Sequence, residues 1–126
     1  MIRFNYTRQL DPPAPFVFVS LSCPLTSRSV HDLPAQVDPA ADRTVIPGGL
    51  VDILGLRPLE TLEFAGLGGR ILVLSTYRVE LAIRALSPLQ VVVAAQDDEP
   101  YVLLGRDVLN RYRILFDGPG LALEFG

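Results

Sequence analysis

The chain has 126 residues, one cysteine, one histidine and a formal net charge of −3, which leaves room for one domain around one modest core and excludes an internal disulfide. All eleven basic residues are arginine and they are scattered, so neither the overall field nor a local patch suits nucleic acid; arginine-only usage also fits a GC-rich bacterial source. No apolar run reaches the length of a membrane span, and Met1–Arg8 lacks the apolar centre of a secretion signal, so the expected location is cytoplasmic.

Residues 1–13 close on Asp11-Pro12-Pro13 and read as an irregular arm or an interface strand, with a short strand in Ile2–Tyr6; residues 14–126 are the domain proper. Phe16–Ser22 is β-branched and aromatic, the composition of a strand. Pro24–His31 reads as a turn-rich connection, and Ala35–Val37 as a short strand stopped at Asp38-Pro39. Arg43–Ile46 resumes extended chain until Pro47-Gly48-Gly49, and Leu50–Leu56 suits one or two helical turns. Leu62–Ala65 and Ile71–Ile83 flank Gly66-Leu67-Gly68-Gly69, the pattern of a hairpin with a glycine-rich tip. In its second arm Tyr77, Val79, Leu81 and Ile83 alternate with Arg78, Glu80 and Arg84, which is the period of a strand with one wet side. Leu89–Ala95 and Tyr101–Gly105 are apolar strands around an acidic turn. Arg106–Tyr112 is the best helix candidate, with Asp107 suited to the positive end of the helix dipole. Ile114–Phe116 and Leu121–Phe125 form a closing hairpin. Many short strands and one helix make the class all-β.

The inventory closes most chemical routes. A metal site needs three or four convergent ligands; one His, one Cys and no calcium-type loop predict no metal and no cofactor. His31 stands in a polar stretch without triad partners, and Gly66–Gly69 is followed by a strand, where a phosphate loop needs a helix. Carboxylate chemistry remains. An apolar strand delivers Asp38 to a turn of small residues, Pro39-Ala40-Ala41-Asp42, and a second apolar strand leaves at Thr44-Val45-Ile46. Later, Val102-Leu103-Leu104 breaks at Gly105 into a helix. Each segment alone is ordinary: a turn Asp before Pro is usually only a turn.

In this order, around a glycine-tipped hairpin, the segments resemble the retropepsin family of aspartic peptidases over nearly the whole chain, from about Phe16 to Phe125. Asp38–Ile46 stands where the family has Asp-Thr/Ser-Gly-Ala-Asp and a Thr-Val-apolar strand. The hairpin resembles the flap, with Gly66, Leu67, Gly68 and Gly69 at its tip. Leu103-Leu104-Gly105-Arg106-Asp107 is similar to the apolar-apolar-Gly-Arg-Asn/Asp motif beneath the catalytic loop, and Leu121–Phe125 to the terminal strand that pairs across the dimer. The resemblance implies an acid-protease fold: a small closed β-barrel or sandwich with a flap hairpin and one short C-terminal helix, active as a homodimer. It implies Asp38 as the catalytic residue and an Arg106–Asp42 ion pair behind the turn. One chain offers one such Asp, so a twofold axis would have to bring two Asp38 carboxylates together to share a proton. The partners are then a second copy and a peptide or protein substrate.

The family pattern is altered at two positions. Pro39 has neither the N–H nor the hydroxyl that the family's Thr or Ser uses to knit the two loops together. Two symmetric loops would lose about four hydrogen bonds, on the order of 2–6 kcal/mol of dimer support. Ala40 adds a methyl where the family keeps glycine. Two functions follow: an endopeptidase with a stiffened loop, or a pseudo-peptidase whose cleft binds extended peptides by strand pairing. A third, non-catalytic scaffold reading requires a filled cleft beneath the hairpin.

Overall fold

A computed structural model of the chain describes residues 1–65 and 67–126. Ten strands carry the architecture: β1 (Ile2–Asn5), β2 (Phe16–Ser22), β3 (Ser29–Val37), β4 (Val45–Pro47), β5 (Pro58–Ala65), β6 (Ile71–Ile83), β7 (Leu89–Gln96), β8 (Val102–Leu104), β9 (Ile114–Asp117) and β10 (Ala122–Phe125). Two short helices, α1 (Gly49–Leu54) and α2 (Arg106–Leu109), join them. The all-β expectation holds.

One sheet runs β2-β3-β8-β4-β7-β6-β5, and an added β2–β6 pairing closes six of its strands into a barrel. Strand β6 makes this possible because it is 13 residues long. Its first half pairs with β5 (Ala65↔Ile71 to Pro58↔Tyr77), and its second half pairs with β2 (Ser22↔Glu80 to Val19↔Ile83). β7 takes the opposite edge. The alternation read from the sequence is the burial pattern: Val79, Leu81 and Ile83 are fully buried, with Arg78 exposed. With Val17, Val19, Leu21, Val93 and Leu104 they build one continuous core. A second, three-stranded antiparallel sheet, β1-β10-β9, packs Phe4 and Phe125 edge to face at 6.2 Å and joins that core.

Three details differ from the sequence reading. β3 begins at Ser29, six residues before Ala35, so the expected connection through His31 is strand. Pro34 is tolerated because its nitrogen falls on the edge facing β8, and β8 reaches only as far as the Ala35↔Val102 pair. The helix at Arg106 stops at Leu109 rather than Tyr112; Arg111 and Tyr112 continue in i→i−3 turns to Val108 and Leu109. Tyr112 then packs on Phe125 at 5.6 Å, and Arg113 exchanges backbone bonds with Gly126. The helical turns expected within Leu50–Leu56 are α1, so the described residues hold a second short α-helix beside the C-terminal one. α1 buries Leu50 and Leu54 and ends at Gly55 with φ 66°.

Strand β10 also departs from the family pattern. The resemblance implied that it pairs across a dimer, yet β1 occupies one of its edges and β9 the other, both within the chain. It has no open edge to offer.

No helix among the described residues is long and apolar enough to cross a membrane.

Candidate functional site

Parallel pairing of β3 with β8 creates the site. Val37 lies opposite Leu104, so the chain leaves both strands at the same level, one into Asp38 and the other into Gly105. Asp38 donates its N–H to Leu104 C=O at 3.1 Å, then turns sharply, with Ala41 N–H returning to Asp38 C=O at 3.1 Å. The half-buried Asp38 carboxylate accepts the Ala40 N–H on Oδ1 at 3.0 Å. Pro39 and Ala40 are exposed.

Arg106 holds this turn from behind. Its backbone N–H donates to Ala41 C=O at 2.9 Å, and its guanidinium donates to Pro39 C=O at 2.9 Å and to Asp42. The ion pair with Asp42 is largely solvent-exposed, so its contribution is positional more than energetic. The two bonds to backbone carbonyls fix the turn's shape.

A second lock was not read from the sequence. Asp107 does not serve the helix dipole alone: its carboxylate accepts the Thr44 N–H at 3.0 Å, the Thr44 hydroxyl at 2.7 Å and the Val108 N–H at 2.9 Å. Thr44 Oγ1 in turn accepts the Gly105 N–H at 3.1 Å, and Thr44 is fully buried. The chain is thus tied on both sides of the turn, at Asp38 by β8 and at Thr44 by α2. Gly105 allows this approach, since a Cβ there would meet the Arg43 backbone at 2.6–2.8 Å. The pairing of Thr44 with Gly105-Arg106-Asp107 was visible in the motif only as two separate segments.

Above the turn stands the β5–β6 hairpin. Leu62↔Leu74 and Phe64↔Leu72 pair across it on the face that looks into a cleft of about 600 Å³, whose opposite wall is Ala40–Arg43. Leu103 and Val45 complete the apolar lining, and Gln96 adds a polar contact. This cleft is open, unlike the filled space that a scaffold domain requires. At the hairpin end, Gly68 and Gly69 both take φ 76°, the left-handed conformation that glycine adopts without strain. Gly66, expected at the same tip, lies outside the described residues.

Leu103 lines the cleft, while Leu104 is buried beneath the turn. The structure therefore brings Asp38, Asp42, Arg106 and Leu103–Gly105 together, and sets the hairpin across from them. His31 is remote from this group; it bridges Ser29 and Ser20 on the barrel surface. Cys23 lies at the end of β2, where a hydrogen bond from Thr26 lowers its thiol pKa. Among the described residues no three His, Cys, Asp or Glu side chains converge as metal ligands.

No family model matches the sequence, and a search of curated proteins finds no match. Solved structures match the fold. The protease of EIAV, complexed with the inhibitor HBY-793, superposes with a TM-score of 0.63 at 19% identity, covering 86% of this chain and 93% of that one. A retropepsin-like aspartic protease from Rickettsia conorii gives a TM-score of 0.66 at 14% identity, covering 97% and 87%. The retroviral protease-like domain of Ddi1 from Leishmania major gives 0.52 at 15%, covering 87% of each. The chain has the retropepsin fold.

Proposed function

We propose that the protein is an aspartic endopeptidase whose active site is assembled from two copies, each contributing Asp38. The observation that carries this reading is the half-buried Asp38 carboxylate, presented by a turn held at both ends whose following residues, Ala40–Arg43, line an apolar, hairpin-covered cleft. Such a site suits peptide hydrolysis. One Asp38 carboxylate removes a proton from water, and the water oxygen bonds to the scissile carbonyl carbon. The protonated partner Asp38 gives its proton to the carbonyl oxygen. The resulting gem-diol collapses as the amide nitrogen takes a proton, breaking the C–N bond and releasing a carboxylic acid and an amine. The hairpin is the flap of this reading: Leu62, Phe64, Leu72 and Leu74 cover the substrate and exclude water. Arg106 with Asp42 is the supporting pair, and Leu103, Leu104 and Gly105 form the floor.

A second reading rests on Pro39 and Ala40. Pro39 brings no N–H to the turn, which favours a pseudo-peptidase that holds an extended peptide in the same cleft without cutting it. One experiment separates the two. Parent protein and Asp38→Asn are compared on a diverse peptide library from acidic to neutral pH. Cleavage by the parent alone, strongest on the acid side, is the expected result. Silence from both proteins, with peptides still retained by the cleft, would establish the binding module.

A further inference from the structure

Part of β7 is an uncovered edge of the barrel sheet. β4 pairs with β7 only from Val45↔Ala94 onward, so residues 89–92 of β7 face a groove of about 260 Å³ instead of a strand. Parity says which groups are open. The Ala94 N–H donates to Thr44 C=O, so residues 94 and 96 point their backbone groups toward β4, while Val93 and Val91 point theirs toward β6. Val92 and Gln90 therefore point N–H and C=O into the groove. The Arg43 side chain fills one place in the missing ladder, where its Nη1 donates to Val92 C=O at 3.0 Å. The Val92 N–H and both backbone groups of Gln90 find no partner among the described residues.

The same groove gathers positive charge. Asp107 and Arg111 form its far wall, and Asp42 and Arg43 close its end. Asp107 is engaged with Thr44 and the Val108 N–H, and Asp42 with Arg106. Arg43 and Arg111 have no carboxylate partner among the described residues. We propose that this edge captures the carboxyl terminus of an extended peptide, which adds to β7 as a parallel strand in line with β4 and ends on Arg43 and Arg111. The groove shares only Asp42 and Arg43 with the cleft, so capture here is separate from whatever Asp38 does there.

The register follows from the ladder already present. In parallel pairing an outward residue donates to the residue before its partner and accepts from the residue after it, as Ala94 donates to Thr44 beside its partner Val45. A peptide residue opposite Gln90 thus has the Gln90 N–H on the carbonyl before it and the Gln90 C=O on the N–H after it. When that following residue is the last, its carboxylate meets the Val92 N–H and the Arg43 guanidinium. A longer chain would run into the Arg43 side chain, and an antiparallel one would bring its ammonium to the arginines. The last residue and the one two before it share the face of Val91 and Leu89, which pack against the core. Apolar side chains belong there, while the middle residue faces outward with exposed Gln90. The ligand is apolar, any residue, apolar, then free carboxylate, held by three backbone bonds and by charge-assisted bonds to arginine.

The test is an NMR titration of the full chain with acetyl-Val-Thr-Val, as the free acid and as the carboxyl-terminal amide. The free acid should move the Gln90 and Val92 amide signals. Amidation should weaken binding by roughly tenfold or more, since it removes the charge that the arginines meet. Added salt should weaken the acid and spare the amide. Arg111→Gln, which leaves the cleft lining untouched, should weaken the acid severalfold and leave the amide unchanged. Gln90→Pro deletes one outward N–H without removing a bond to β6, and should abolish the Val92 shift with little change in melting. Equal binding of acid and amide would overturn the site. So would shifts confined to residues 62–74 of the cleft, or still signals at Gln90 and Val92 at the highest concentration of free acid.

Discussion

Gly105 and Thr44 show how single atoms set the position of Asp38. The Gly105 backbone (φ −93°, ψ −178°) is open to any residue, so the restriction is space: the Arg43 backbone lies where a Cβ would stand. Gly105→Ala should cost about 1–3 kcal/mol by overpacking, read as a lower urea midpoint with an unchanged slope. Thr44→Val keeps the shape but leaves Asp107 and the Gly105 N–H each short of a partner. It should cost about 1–3 kcal/mol by the same measurement. Glu99 makes a pH-dependent contribution. Burial first, and the neighbouring Asp98 charge second, raise its carboxyl above the ordinary 4.5. The folded chain therefore holds this proton more tightly than the unfolded chain. Folding is favoured while Glu99 is protonated, and that advantage is lost as pH rises from the ordinary value through the raised one. Thermal melting across this acidic interval should show Glu99→Gln losing less stability than the parent as pH increases. Equal pH slopes in the two proteins would assign the effect elsewhere.

At the scale of elements, legibility followed side-chain period. β6 spans Ile71–Ile83, and the alternation read from Tyr77 onward is its burial pattern there, because a half-wet strand writes its burial into every second residue; Ile71–Val73 are all exposed. β3 was legible only from Ala35. Its first half is mostly exposed and carries His31, Asp32 and Pro34, residues that signal turns, and Asp32 takes φ 56°. Pairing with β2 makes that segment a strand despite a bulge between Val19 and Leu21, and such long-range pairing leaves no local trace. The Asp38 turn was legible as a motif, whereas the Thr44–Asp107 lock joins residues 63 apart in sequence and needed the fold. The turn itself carries a prediction. Pro39→Thr with Ala40→Gly returns an N–H and a hydroxyl and removes a methyl. On the two-copy reading proposed above, at about 0.5–1.5 kcal/mol for each recovered hydrogen bond, the association of two copies should tighten by roughly tenfold or more. Peptidase turnover should rise with it, and sedimentation equilibrium beside a cleavage assay reads both.

The whole molecule is a barrel with a small sheet attached, and β1 is what joins the two ends of the chain to it. Phe4 packs on Phe125, beneath Arg84, whose guanidinium also lies 5.0 Å from the Phe18 ring on β2. This contact couples the terminal sheet to the barrel wall. Phe4→Ala opens a cavity at that junction and removes the ring that Arg84 covers. The expected loss is about 3–5 kcal/mol, a large part of the stability of a domain this size. The site should respond as well, because Leu123 and Phe125 of β10 share one core with Val37, Leu104 and Val108, the residues that flank the Asp38 turn and the Arg106–Asp107 segment. If the small sheet and the site form one cooperative unit, urea unfolding of Phe4→Ala remains a single transition at a lower midpoint, and hydrogen exchange speeds up at the Thr44 and Gly105 amides together with those of β10. A biphasic transition, with those two amides still protected after β10 has exchanged, would mean that the barrel holds Asp38 in place without the terminal sheet.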